Sequence, residues 1–196
     1  MVSKTVRISS LLLFPMMVGL AAVAEPLVSL LLTDKWLECV PYLQIFAIGY
    51  LFQAIQLAII QAIKAIGDSG TPLKLEIIKK CVEVFFLIVT IRQGVLIFAS
   101  SLLICSVISH LLNMFAAKRI LNYTVKQQLI DILPATLFSA VMAACVKCVT
   151  QLLNGAFVSL VAGIATGVAV YLLLCMLFRV PEIKQLKNKL FKRKYT

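Results

Sequence analysis

The sequence predicts an all-α polytopic membrane bundle of about six transmembrane helices, and three observations predict it. Hydrophobic residues make up 62% of the 196 positions and the mean hydropathy is +1.03, well above the roughly 45–50% apolar content of soluble domains. The apolar residues gather into six segments: Ile8 to Ala24, Pro41 to Ile63, Ile77 to Ile91, Gly94 to Ala117, Ile132 to Leu153 and Ala156 to Phe178. The basic residues collect in alternate connections between them. Helices are the expected form, because backbone polar groups in lipid must be satisfied within the segment or in a closed barrel. Residues 1–178 form the predicted transmembrane region and 179–196 a basic tail.

A net charge of +11 invites a nucleic-acid reading, but its distribution follows a membrane. Of the 19 basic residues, all but Lys35, Arg92 and Lys147 lie before the first segment, between the second and the start of the third, between the fourth and fifth, or in the tail. By the positive-inside bias both termini and these loops are cytoplasmic. No nucleic-acid partner is expected.

The first segment has the layout of a signal peptide, with Lys4 and Arg7, an apolar run, then Ala22-Val23-Ala24. The run is slightly long for that role and apolar residues resume at Leu27, which favours a retained helix. Pro15 and Gly19 predict a kink. Glu25 to Trp36 is too interrupted to span and reads as an outer turn, with Trp36 as an interfacial anchor or a substrate contact. In the second segment Tyr42, Tyr50, Gln53, Gln56, Gln61 and Lys64 share one helical face. Its amides serve either as interhelical hydrogen-bond partners or as the lining of a watery cavity. Gly67 to Pro72 is a cytoplasmic turn that opens the next helix.

That next helix carries the sharpest signal. Leu73 to Gln93 places Glu76, Lys79, Lys80, Glu83 and Thr90 within roughly 100° of arc. Its uninterrupted apolar run, Val84 to Ile91, is far short of the about 20 residues a span needs. Part of the charged turn must therefore enter the bilayer, where each ionisable group facing lipid costs about 2.5–3.5 kcal/mol. Pairing of Glu76 with Lys80 and of Lys79 with Glu83, each at i,i+4, is expected to lower that cost. The face is either a snorkelling helix end or the wall of a polar cavity.

Arg92-Gln93-Gly94 closes an antiparallel hairpin between the third and fourth segments. The fourth carries Ser106, Ser109, His110 and Asn113 on one face, with His110 expected to be a hydrogen-bonded helix contact. In the fifth, Lys147 lies about 10 Å from the turn at Asn154-Gly155, too deep for snorkelling to free it entirely. Ser159, Gly163 and Gly167 make a small-residue ridge on the sixth. In the tail, Ile183, Leu186 and Leu190 recur at helical spacing among basic residues, the pattern of an interfacial helix on anionic lipid. Cys145 and Cys148 match C-x-x-C but sit mid-span without ligand partners, so no metal, cofactor or catalytic centre is expected.

Several strings resemble, in order and spacing, the polysaccharide and O-antigen flippases of the multidrug/oligosaccharidyl-lipid/polysaccharide exporter superfamily. They are Glu25-Pro26, Leu31-Leu-Thr-Asp-Lys-Trp36, Val40-Pro-Tyr-Leu-Gln44, Gln61-Ala-Ile63 with Gly67, Leu75-Glu-Ile-Ile-Lys-Lys80, Leu121-Asn-Tyr123 and Asp131-Ile-Leu-Pro134. The resemblance implies part of an exporter fold in the bacterial inner membrane. It also implies movement of undecaprenyl-pyrophosphate-linked oligosaccharides by alternating access between two bundles. Such proteins carry about twice as many helices, so the chain is expected to correspond to a C-terminal portion that meets further helices or a partner chain.

On this reading Lys79, Lys80 and Lys147 offer positive potential to pyrophosphate, Gln53 and Gln56 meet sugar, and Glu83 is the deepest acid of the wall. The alternatives are a cation-coupled drug exporter of the same superfamily, which would use Glu83, and a non-transporting subunit or fragment. A membrane enzyme would need convergent catalytic groups, and one histidine with no paired aspartates does not supply them.

Overall fold

The computed structural model describes residues 2–153 and 155–178. Among these, eight α-helices and one 3-10 helix follow in order: α1 (Val2–Ala22), α2 (Ala24–Leu32), the 3-10 helix (Asp34–Cys39), α3 (Val40–Tyr50), α4 (Gln53–Ala65), α5 (Gly70–Thr90), α6 (Val95–Leu121), α7 (Val125–Leu152) and α8 (Ala156–Leu177). The chain is a multi-pass helical membrane protein, and the amphipathic helix expected for residues 179–196 lies outside the described residues. Five stretches are long and apolar enough to span: Val2–Ala22, Asp34–Ala65, Val95–Leu121, Val125–Leu152 and Ala156–Leu177. The expected sixth, α5, forms a 21-residue helix of about 31 Å, but its charges keep it out of that set.

α1 is the axis. It packs against α7 on one side and against α3 and α4 on the other; α8 covers α7, while α6 covers α3 and α4 and pairs with α5. The main core joins Val6, Leu11 and Phe14 of α1 to Ile55, Ile59 and Ile63 of α4 and Ile132 and Phe138 of α7. The three isoleucines recur every fourth residue, so α4 turns one stripe inward and leaves Gln53 and Gln61 on the other side. In lipid such contacts stabilise through close packing, since hydrocarbon tails solvate isoleucine as well as protein does. The ridge on α8 packs closely against α7 and against Val23. A Cβ on Gly163 would lie 3.0 Å from Thr150 Cγ2 and 3.1 Å from Val23 Cγ1, and one on Gly167 3.3 Å from Val146 Cγ2.

Pro15 does not interrupt α1. It has no N–H to offer the carbonyl four residues back, which belongs to Leu11. The Tyr171 hydroxyl of α8 donates to that oxygen at 2.7 Å. Two expectations need correction. The stretch from Glu25 to Trp36 is a helix followed by the start of a 3-10 turn, because Pro26 in the first turn of α2 can begin a helix and apolar residues follow it. The second segment is broken, with Leu51 and Phe52 between α3 and α4. At the break the Ser106 hydroxyl of α6 donates to the Gly49 carbonyl at 2.6 Å, supplying that oxygen with a partner from a neighbouring helix.

The basic end of the bundle is tied by polar contacts. Asp131 at the start of α7 accepts from Ser3 of α1 at 2.5 Å and from the Tyr123 hydroxyl at 2.6 Å. Gln128 donates to the carbonyls of Tyr123 and Met114 at 2.8 and 3.3 Å. Burial, then the Asp131 carboxylate, pushes the Tyr123 phenol well above the ordinary tyrosine value. At the entry to α5, the side chain and backbone N–H of Thr71 donate to Asp68 at 2.6 and 3.0 Å. They hold its carboxyl below the usual aspartate value.

Candidate functional site: a polar cavity between four helices

A cavity of about 410 Å³ opens between α3, α4, α5 and α6. Each wall contributes for a local reason. The α3–α4 break brings Gly49 and Tyr50 to the cavity edge and sends Gln53 and Gln56 in from the first turn of α4. α5 contributes Glu76, Lys79, Lys80 and Glu83, the i,i+3,i+4,i+7 set of one helical face. α6 contributes Cys105, Ser106 and Ser109.

The four charges form two pairs. Lys79 Nζ donates to Glu76 Oε1 at 3.0 Å and Lys80 Nζ to Glu83 Oε2 at 2.5 Å. Both pairs are i,i+3, which corrects the expected i,i+4 partners. Lys79 reaches back toward the N-terminus along its Cα–Cβ direction, whereas Lys80 reaches forward. The pairs differ in setting: the Lys79 side chain is 9% exposed and that of Lys80 68%. With two lysines and two glutamates the cavity is formally neutral.

Gln56 has both roles considered for the amide stripe. It lines the cavity, and its Oε1 accepts from Asn113 Nδ2 at 3.0 Å in a buried contact. Gln53 lines the same cavity and is exposed. His110 departs from its expected role as a hydrogen-bonded contact: it stacks on Phe52 with centroids 4.5 Å apart, and its Nδ1 is buried without a hydrogen-bond partner. Phe52 meets Phe14 edge-on at 6.0 Å, so this stack ties α6 through the helix break to α1.

Of the six residues singled out from the sequence, Lys79, Lys80, Glu83, Gln53 and Gln56 meet in this cavity. Lys147 does not; it lines a separate cavity of about 760 Å³ on the other side of α3. Gln44 and Ile48 of α3 face that second space, while Ile45, Phe46 and Gly49 face the first. One short helix therefore divides what the sequence presents as a shared polar interior. Glu76 and the α6 serines were not among the six, though Glu76 shares the helical face of Lys79 and Lys80, and Ser106 and Ser109 that of Asn113. Among the described residues no cluster of three or more metal-ligating side chains occurs.

The fold and cavity define a multi-pass helical membrane protein whose polar interior is walled by a charged helix and a broken one. Residues 1–41 match the family model described as a polysaccharide biosynthesis protein. The structure is similar to that of the lipid II flippase MurJ in its inward closed conformation, with a TM-score of 0.79 over 93% of this chain and 21% sequence identity. At that identity the likeness is one of fold, and the chain spans about two-fifths (39%) of that flippase. A search of curated proteins gave no match. The family match thus bears on polysaccharide biosynthesis through the first 41 residues, and the structural likeness bears on the fold.

Proposed function

We propose that the chain forms one wall of a flippase that carries polyprenyl-pyrophosphate-linked oligosaccharides across the bacterial inner membrane during surface-polysaccharide synthesis, with both termini cytoplasmic. The observation that carries this reading is the ion-paired, amide-lined cavity inside a MurJ-like fold. Lys80 is the more exposed member of its pair, so a phosphate oxygen can replace the Glu83 carboxylate as its partner without opening the bundle. Lys79 stays covered and keeps Glu76 beside it. Gln53, Gln56 and Ser109 then face the sugar with amide and hydroxyl groups. Further helices, on this or another chain, supply the opposing wall, and the basic tail meets anionic lipid.

Glu83 would be the acid of a cation-coupled drug exporter, but its carboxylate is held by Lys80, which weakens that alternative. The test is translocation of a fluorescent lipid-linked oligosaccharide in membranes containing the protein. Lys80→Ala should lower the rate at normal protein level, and Lys79→Ala should lower it too. Unchanged translocation in both variants would discard the mechanism.

A further inference from the structure

We propose that the second polar cavity is a saccharide-binding site, taking the hydroxyl-bearing rings of the cargo on the side of α3 away from the ion pairs. The identity of the cargo rests on the flippase reading. The cavity lies where α1 and α7 end and α8 begins, at the end of the bundle opposite the loops bearing Lys64, Lys118 and Arg119. Its volume, about 760 Å³, falls within the roughly 300–1,000 Å³ of small-ligand pockets.

Polar groups converge on it from three consecutive elements and one distant in sequence: Glu25 of α2, Asp34 of the 3-10 helix and Gln44 of α3, and Lys147, Thr150 and Gln151 of α7. Some are already oriented. Ser29 donates to Asp34, and the Gln44 amide donates to the Ala21 carbonyl at 3.2 Å. Others are unclaimed: the side chains of Glu25, Lys147 and Gln151 have no hydrogen bond or ion pair among the described residues. Alanines 21, 22, 143 and 144 keep the intervening wall low.

The charge decides the class of ligand. Two carboxylates against one ammonium make the cavity formally negative, which repels pyrophosphate. A neutral saccharide suits this set, because carboxylates accept from ring hydroxyls while an ammonium and an amide donate to ring oxygens. The same reading accounts for Lys147, whose ammonium at that depth needs water or a polar ligand beside it.

The chain contains one tryptophan, and it serves as the reporter: Trp36 lies two positions from Asp34 in the 3-10 helix and is 54% exposed. The full chain in lipid nanodiscs is titrated with a panel of neutral hexose and N-acetylhexosamine disaccharides while Trp36 fluorescence is followed. At least one disaccharide should give a saturable change. Both on α7, Lys147→Met should raise its midpoint about tenfold or more, the size of one lost charge-assisted hydrogen bond, and Gln151→Ala about fivefold, the size of one lost neutral hydrogen bond. Lys118→Ala, at the opposite end of the bundle, should leave it in place. No saturable response across the panel, an unaltered midpoint in both α7 variants, or saturation by sodium pyrophosphate or calcium chloride instead of sugar overturns the proposal. Translocation without this response removes the saccharide site alone. Saccharide binding without translocation removes the flippase reading and leaves the site.

Discussion

The hydrogen bond between Tyr171 and Leu11 gives the most exacting test of how the bundle is held together. Tyr171→Phe removes a hydroxyl and leaves the shape of the ring. The Leu11 carbonyl then loses a donor at 2.7 Å, and Pro15, four residues on, has no N–H to replace it. Leu11 is 7% exposed, so water does not readily take over. An unsatisfied buried carbonyl costs about 1–3 kcal/mol, and Tyr171→Phe should destabilise the protein by that amount. In Pro15→Ala the helix regains an N–H at position 15 that can reach the same oxygen. The phenylalanine substitution should then cost about 1 kcal/mol less than it does beside proline. The four proteins of this cycle can be compared by reversible unfolding in mixed micelles of increasing sodium dodecyl sulfate fraction. An equal cost in both backgrounds would refute the reasoning, because it would show that the carbonyl does not depend on tyrosine for want of a backbone donor.

Three further outcomes are expected. Glu76→Gln should lower thermal stability in detergent by about 1–3 kcal/mol, because it leaves the covered Lys79 without a carboxylate; Glu83→Gln should stay within about 1 kcal/mol, since its partner is exposed. The folded pKa of Tyr123 is raised above the ordinary value of 10.0, so its contribution is complete below about pH 10 and is lost as pH climbs toward the folded value. Stability followed against pH should therefore fall less steeply above pH 10 in Tyr123→Phe than in the unmodified protein. Gly163→Leu should cost about 1–3 kcal/mol or more by pushing into Thr150 and Val23, while Gly49→Ala, whose Cβ meets nothing within 4 Å, should be tolerated in the same unfolding assay.

Helix content and the wall of the first cavity were legible because both depend on periodicity within one segment. Glu76 to Glu83 share a face by spacing alone, and so do the buried isoleucines of α4. What escaped depends on contacts between segments. The break after Tyr50 has no proline at the break to announce it; it coincides with a serine 57 positions later that donates to Gly49. The division of the polar interior by α3 was hidden for the same reason, since a helical wheel shows which residues share a face but not which cavity that face meets. The i,i+3 register of the ion pairs was beyond the wheel too, because i+3 and i+4 are both neighbours on a helix and rotamers choose between them. The motif strings gained a physical meaning only in the fold: Leu121-Asn-Tyr123 and Asp131-Ile-Leu-Pro134 are joined by the Tyr123–Asp131 hydrogen bond.

On the proposed flippase reading, the neutrality of the first cavity changes what its lysines would do for an anionic cargo. At 4 Å and an effective dielectric of 20, one unpaired lysine attracts a single phosphate charge by about 4 kcal/mol. Two such lysines would slow release by several powers of ten, at about 1.4 kcal/mol for each factor of ten. Carboxylates already bound to both ammonium groups would turn capture into exchange: a phosphate would gain a lysine only as a glutamate lost one. The net attraction is then the small difference between two similar ion pairs, and departure of the cargo restores the original pairs. A passage that must admit a charged headgroup on one side and release it on the other requires such shallow binding. On that reading the unequal exposure of Lys79 and Lys80 would divide the work, with one pair fixed in the wall and the other open to exchange.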